Sequence, residues 1–490
     1  MPSLSFTAFY LRSIGRDNFQ LASTHKVIVI GGGISGLACA FRLQQLGIRA
    51  LLLEASGKAG GMVATVRRNG FLFEGGPQCP RFPASVWTLV HELNLENEFV
   101  TGDPKAKRYI LRDGRLQPAP FSPGALLATP LLSPRSKYRL LSELLRHSHP
   151  PADEESLAEF VERKFGAEVL DYLVDPFIST VFLGDANKMG MESAFPALVE
   201  WERSRGSVVR GAIRARKPKR DANASGGASP PRDPRANREA LRVTDALPSL
   251  GSFKNGMGTL AEKLAEKLDE AIRFETKVES IQPLGHGNDG AEAGWRVRAS
   301  GGQEFDAEAI VLALPAYAAA SLLERSAPQL SALLAGIEHA PMSVVSSAYH
   351  RNQVSHPLDG FGFMVPRRAG LHTVCTFWNS SLFPGRAGPG QVLMTSFSRD
   401  ASGSPQTVEA ENAKILGITG DPIDRMVWKY PRALPQYNIG HAQKVREIRE
   451  ALGKYSGILL AGNYLAGRSI GESVETGFQA AEILRSRIKN

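Results

Sequence analysis

A mixed α/β fold with two sheets is predicted by three stretches of the sequence. Residues 26–40, KVIVIGGGISGLACA, run a β-branched strand into a glycine cluster and then into a helical pattern, and RALLL at 49–53 supplies the next strand. GILLAGNYLAG at 457–467, with a helical pattern from about 472 to 488, places a second strand–glycine–helix unit at the far end of the chain. Between the two, residues 340–430 read as strands with many aromatics and turns. The fold class is therefore α/β in its βαβ unit and mixed α+β overall. At 490 residues the chain exceeds one simple core, so two or three subdomains are expected.

The elements follow in order. Residues 1–25 read as an N-terminal extension, because SFTAFYL is short for a signal h-region and lacks a basic start; Arg12 and Arg16 leave an organelle presequence as the alternative. The strand is expected over 26–30, the helix over 35–46 and the next strand over 49–53. Residues 120–149 carry leucine pairs (126/127, 131/132, 140/141, 144/145) among Arg135, Lys137, Arg139 and Arg146, and 155–175 look helical. GMGTLAEKLAEKL at 256–268 is a helix with Leu260, Leu264 and Leu268 on one face, and strands follow to about 315. No apolar run approaches the roughly 18–20 residues that span a bilayer.

The net charge of +9 would suggest an anionic partner, but its distribution argues otherwise. Residues 203–242 carry twelve Arg or Lys against three acids, which accounts for the whole excess. The segment 221–237, DANASGGASPPRDPRAN, is poor in large apolar residues and reads as a flexible loop. No nucleic-acid partner is expected, and the basic insertion is read as solvated, with weak attraction to anionic lipid as the alternative. The cysteines Cys39, Cys79 and Cys375 are scattered and odd in number, which excludes a disulfide framework and any CxxC metal site.

Gly31 to Gly36 fit GxGxxG in its proper context, a strand before, a helix after and Glu54 at the end of the next strand. Gly31 permits the tight turn, Gly33 lets the backbone approach a pyrophosphate, and Gly36 allows close packing of helix on strand. Ile34 and Ser35 open the helix, whose N–H groups and dipole suit phosphate. Glu54 is placed for ribose hydroxyls and disfavours a 2′-phosphate.

After Glu54 and Ala55, EASGKAGGM places Gly60, Gly61 and Met62 beside the same pyrophosphate. This arrangement, FEGGPQ at 73–78 with Gly76, Pro77 and Gln78, and the closing SIGESVETGFQAA resemble the FAD-binding amine-oxidase and desaturase superfamily. The resemblance implies non-covalent FAD, touched also by Val278, Trp428, Gly462, Asn463, Ser469, Ile470 and Val474. Within that superfamily the chain is similar to the protoporphyrinogen oxidase family, through GDPKAKRYILRDGRLQPAP (102–120), VDPFISTVFLGDANKM (174–189), GSFKNGMGTLAEKLAEKL (251–268), PLDGFGFMVP (357–366), TFWNSSLFPGRA (376–387) and LPQYNIGHAQKV (434–445).

The resemblance implies a Rossmann-like FAD-binding domain of the amine-oxidase type over 26–105, 254–325 and 440–490. It also implies a β-rich substrate domain over 106–120 and 326–439, and a helical, membrane-associating subdomain over 121–202, with the basic insertion at 203–245. The implied reaction is oxidation of protoporphyrinogen IX to protoporphyrin IX in haem synthesis. Six hydrogens leave in three flavin cycles, and dioxygen reoxidises the flavin to give hydrogen peroxide. Arg108 is expected to face a propionate, where a bidentate guanidinium suits a carboxylate. Met342, Phe363, Met364 and Trp378 are expected at the macrocycle. No catalytic side chain or metal is expected, because the flavin carries the chemistry.

Coproporphyrinogen III, with Arg81 or Arg112 as further anchors, stays open as substrate. So do an amine oxidase or carotenoid desaturase, although the cysteine that links flavin in covalent amine oxidases is missing near the C-terminal motif. A basic-loop lipid- or nucleic-acid-binding protein is the reading from a different class. Peripheral membrane contact, a homodimer and contact with a downstream chelatase are partner expectations. The expected location is the cytoplasmic face of a bacterial cell membrane, or alternatively the mitochondrial inner membrane.

Overall fold

The computed structural model describes residues 23–103, 105–145, 148, 150–215, 250–285, 294–401, 403–467 and 469–488. The expected N-terminal extension up to residue 22 and the basic insertion from 216 onward lie outside the described residues.

The first sheet draws on both ends of the chain. Ser23–Ile30 pairs in parallel with Ala50–Leu53 on one side and with Gln303–Leu312 on the other. Ile458–Leu460 joins the sheet beside Ile310–Leu312, also in parallel. Val278–Pro283 and Trp295–Ala299 extend it as antiparallel strands, and Ile272–Arg273 closes the other edge. The run of Val27, Ile28, Val29 and Ile30 is buried on both faces, as expected of a central parallel strand. One face packs on the helices Ile34–Gln45, Gly258–Leu268 and Ile470–Ile488, and the other on Ala316–Leu323 and Pro328–Ala335.

The second sheet has the order Asp424–Pro435, His339–His350, Gln391–Ser398, Thr373–Phe377, Gly360–Met364, Lys107–Arg112, Arg115–Pro118. Its outer face is sealed by the helix Pro405–Leu416. Its inner face meets Met62 and the Phe71–Glu74 strand of the first domain, and Leu183 of the helical subdomain.

Two sequence expectations are corrected here. The first strand begins at Ser23 because residues 23–25 continue the parallel register opposite Phe305–Ala307. The start of the expected flexible insertion is helical: Pro196–Arg205 runs past residue 203, and Val208–Ala215 follows. The buried Glu143 carboxylate caps this last helix by accepting from the N–H groups of Val208 (2.9 Å) and Val209 (3.2 Å) and from Ser207 Oγ (2.8 Å). Among the described residues, no helix is long and apolar enough to cross a membrane.

Candidate active site

The cradle is built from glycines with different jobs. Gly31 turns at φ +109°, and an added Cβ would lie 2.5 Å from the Ala313 carbonyl oxygen. At Gly36 the same atom would lie 1.9 Å from the Gly31 oxygen, so helix and turn touch backbone to backbone. Gly33 is the opposite case. No atom lies within 4 Å of its would-be Cβ, and it caps the helix Ile34–Gln45 with no side-chain hydrogen bond. The second glycine pair is laid alongside, with Gly60 N–H donating to the Gly32 carbonyl at 2.8 Å and Gly61 next to Gly33. A bare helix N-terminus with a space that one methyl group would enter suits the pyrophosphate of a dinucleotide.

Glu54 holds this turn together. Its carboxylate accepts from Gly32 N–H at 2.6 Å and from the Ser56 N–H and hydroxyl at 2.8 and 2.7 Å. Thr276 N–H donates to the Glu54 carbonyl at 2.9 Å, which brings the chain into Val278 next to the acid. Val278 itself is buried in the core beneath the sheet, while Ala55 is exposed beside the turn.

The segment after Phe71–Glu74 lies between Met62 and the second sheet. A Cβ on Gly76 would meet the Met62 carbonyl at 2.1 Å, and one on Gly75 would meet the Trp428 ring at 2.8 Å. Tyr430 Oη donates to the Gly75 carbonyl at 3.0 Å. Trp428 and Met62 therefore stand against the glycine segment, with Pro77 half-buried beyond them. Gln78 is buried, and its carboxamide is fully engaged: Nε2 donates to the carbonyls of Glu74 (3.2 Å) and Gly76 (2.7 Å), and Oε1 accepts from Asn379 Nδ2 (2.6 Å). It fixes the course of the loop and clasps it to the second sheet.

At the C-terminal motif, Gly462 N–H donates to Thr476 Oγ1 at 3.1 Å, and the carbonyls of Asn463 and Tyr464 accept from Tyr437 Oη and His441 Nε2. Tyr437 and His441 are stacked, with centroids 4.4 Å apart. Burial drives the His441 pKa down to about 4, so its ring is neutral and donates to Tyr464. Ser469 caps the last helix by exchanging hydrogen bonds with Glu472. Ile470 and Val474 lie in the core, with the last helix packed on Ile34–Gln45 so closely that a Cβ on Gly477 would be 2.3 Å from the Ser35 carbonyl.

The inner face of the second sheet forms the wall opposite. Arg108 lies 4.5 Å from the Phe361 ring centroid and 5.1 Å from that of Phe121, and no carboxylate among the described residues pairs with it. Partial burial lowers its pKa, the expected cost of a cation without a counter-ion. Phe361, Phe377 and Phe397 continue the wall, the first pair edge to face and the second tilted, with centroids 5.7 and 5.5 Å apart. Met364 packs with Ile110, Leu131 and Tyr172, and Met342 with Val344, Val374 and Leu183.

Phe363 and Trp378 are corrections. Both are buried on the outer face with Tyr109, Val365 and the helix Pro405–Leu416. The cause is a bulge: Gly362 sits at φ +137° where the register with Lys107–Arg112 shifts, so Phe361 and Phe363 point to opposite faces. Trp378 follows in the turn after Thr373–Phe377, 4.8 Å from the His356 ring. Phe361, Phe377, Phe397, Tyr430 and Asn379 were not singled out from the sequence. The signal available for Phe361 was its place between two glycines in GFGFM. Among the described residues no cluster could hold a metal ion.

A dinucleotide cradle beside an apolar wall, with a glycine segment lying between them, suits an FAD-dependent oxidoreductase. Comparison with known proteins agrees. Residues 34–485 match the flavin containing amine oxidoreductase family. The chain is 32% identical to the chloroplastic protoporphyrinogen oxidase of Oryza sativa subsp. japonica, over 93% of this chain and 87% of that one. It is 25% identical to a coproporphyrinogen III oxidase of Bacillus subtilis, over 92% of this chain and 96% of that one. A solved structure from Exiguobacterium sp. 255-15, provisionally named a protoporphyrinogen oxidase, superposes with a TM-score of 0.76 over 95% of this chain and 100% of its own, at 24% identity. The chain belongs to the protoporphyrinogen oxidase family of flavin-containing amine oxidoreductases.

Proposed function

We propose that this protein oxidises protoporphyrinogen IX to protoporphyrin IX in haem biosynthesis. The observation that carries the reading is Arg108, a guanidinium in contact with two phenyl rings at the edge of an apolar wall and, among the described residues, left without an acid. A flat macrocycle bearing propionates supplies both complements, a carboxylate for Arg108 and a hydrophobic face for Phe361, Phe377, Phe397, Met342 and Met364. FAD, when bound, takes two electrons per cycle, so removal of six hydrogens needs three cycles, with dioxygen as the acceptor and hydrogen peroxide as its product. The chain's own residues orient the ring, exclude water from it and anchor its charge.

The test is a porphyrin-fluorescence assay on the purified yellow protein. Arg108→Ala is expected to raise KM roughly 10- to 100-fold, the size of a lost charge-assisted pair, with flavin content unchanged. An unchanged KM removes Arg108 from the substrate site. Coproporphyrinogen III is the second reading, favoured by the Bacillus subtilis relative, and the same assay separates the two substrates.

Peripheral membrane association belongs to the same proposal. Phe121, Leu127, Tyr138, Leu141 and Leu145 are 67, 47, 74, 54 and 85% exposed on the helical subdomain, near Arg135 and Lys137. Leu131 and Leu132, expected in the same patch, are buried in the subdomain. An apolar patch rimmed by cations suits the interface of an anionic bilayer, from which a poorly soluble porphyrinogen could be drawn. The proposed location is the cytoplasmic face of a bacterial cell membrane.

A further inference from the structure

Phe361 owes its contact with Arg108 to an irregularity in the second sheet. Gly360 lies opposite Lys107 and Gly362 opposite Arg108, so Phe361 is the extra residue of a bulge. Both flanking positions need glycine. A Cβ on Gly360 would lie 2.3 Å from the Lys107 carbonyl oxygen, and one on Gly362, at φ +137°, 2.0 Å from the Thr376 carbonyl oxygen. The bulge turns the Phe361 ring towards Arg108, whose guanidinium carbon is 4.5 Å from the ring centroid. A slip of one residue would place a glycine there and leave the guanidinium without that face.

Asp359 ties this register from the side. One carboxylate oxygen accepts from Lys107 Nζ at 2.6 Å and the other from Tyr109 Oη at 2.8 Å. These are the two neighbours of Arg108 in its strand, and their side chains alternate with it across the sheet. The acid therefore grips the strand on both sides of Arg108 without pairing with the guanidinium itself. Tyr109 is held a second time, by the His356 ring edge to face at 5.8 Å. Leu358 N–H donates to His356 Nδ1 at 3.0 Å, and Leu358 itself is left-handed at φ +54°, a strained state for leucine that its surroundings must hold. For stability the ion pair counts for little, because the Lys107 and Asp359 side chains are 58 and 39% exposed.

We infer, resting on the porphyrinogen reading above, that Asp359 is a positioning residue for the substrate carboxylate and acts through Arg108. It holds the register in which Phe361 and Arg108 meet, so the guanidinium is presented to a propionate in one orientation. An anchor ordered before the substrate arrives binds more tightly than one that must be ordered on arrival.

The test is a double-mutant cycle on the flavin-bound enzyme with protoporphyrinogen IX. Asp359→Ala is expected to raise KM about three- to tenfold with kcat and flavin content retained, the pattern of lost binding without lost chemistry. Asp359→Asn keeps an acceptor for Lys107 and Tyr109 and should fall between wild type and Asp359→Ala. In an Arg108→Ala background, Asp359→Ala should change KM by less than about twofold, because the anchor through which it acts is gone. If Asp359→Ala loses flavin, Lys107→Ala with Tyr109→Phe opens the clasp from the other strand and carries the same expectations. An unchanged KM in Asp359→Ala, or an equal rise with and without Arg108, overturns the role of Asp359 alone. A KM unchanged by Arg108→Ala overturns the anchor, and a wild type that oxidises no porphyrinogen overturns the porphyrinogen reading; either takes the role of Asp359 with it.

Discussion

Glu74 is a buried carboxylate, 2% exposed, tied to Thr65 and to the start of the helix Gly258–Leu268. It accepts from Thr65 Oγ1 at 2.6 Å and Met257 N–H at 2.9 Å, and burial still pushes its pKa up to about 7, against the pull of Arg386. The folded value lies above the unfolded one near 4.5, so the group's contribution to stability is whole below pH about 4.5 and is lost as pH rises through about 7. Thermal denaturation across that window should show Tm falling with pH in wild type and a flatter profile in Glu74→Gln. If the two slopes coincide, the carboxyl does not titrate there. Individual side chains were unevenly legible from sequence. Arg108 is singled out by the resemblance of its segment, KRYIL, to the protoporphyrinogen oxidase family and not by its local charge pattern. Phe363 and Trp378 could not be sorted to a face, because one left-handed glycine, Gly362, reverses the alternation that a plain strand reading assumes. Gln78 was legible as a residue of the flavin segment, but its clasp with Asn379 joins positions 301 apart in the chain and leaves no local trace.

At the level of the glycine turn, the two outcomes of adding a methyl group should separate. Gly33→Ala has open space around its new Cβ, so the flavin-free protein should keep its Tm while flavin retention falls steeply. Gly36→Ala drives its Cβ into the Gly31 oxygen and should lower the Tm of flavin-free protein as well. Differential scanning calorimetry alongside flavin absorbance reads both; equal Tm losses would mean that Gly33 serves packing and not the cofactor. This turn, its helix and Glu54 were legible because strand, turn and helix are consecutive and each carries its own pattern. The last helix was legible only as an element. Its packing on Ile34–Gln45 was not, because that pairing joins segments far apart in the sequence.

For the whole molecule, the division of labour between faces makes a prediction about lipid. Leu141→Glu with Leu145→Glu should weaken co-sedimentation with anionic vesicles several-fold and leave turnover of solubilised substrate unchanged, since neither residue reaches the inner wall. Unaltered sedimentation would remove the patch from the membrane proposal. Two sheets were legible from the order of motifs; the packing of Leu183 against the second sheet was not, because it joins segments far apart in the chain.

The first sheet also sets a schedule for biosynthesis. Its central strand at residues 23–30 leaves the ribosome well before Ile458–Leu460, which joins the same sheet, and before the helix Ile470–Ile488 that covers Ile34–Gln45. The nascent chain must carry an unsealed cofactor turn until those distant elements arrive, exposing the apolar face of Ile34–Gln45. Such long-range closure is slow and prone to aggregation. Yield in a heterologous host should therefore respond to chaperone supply and to flavin present when translation ends.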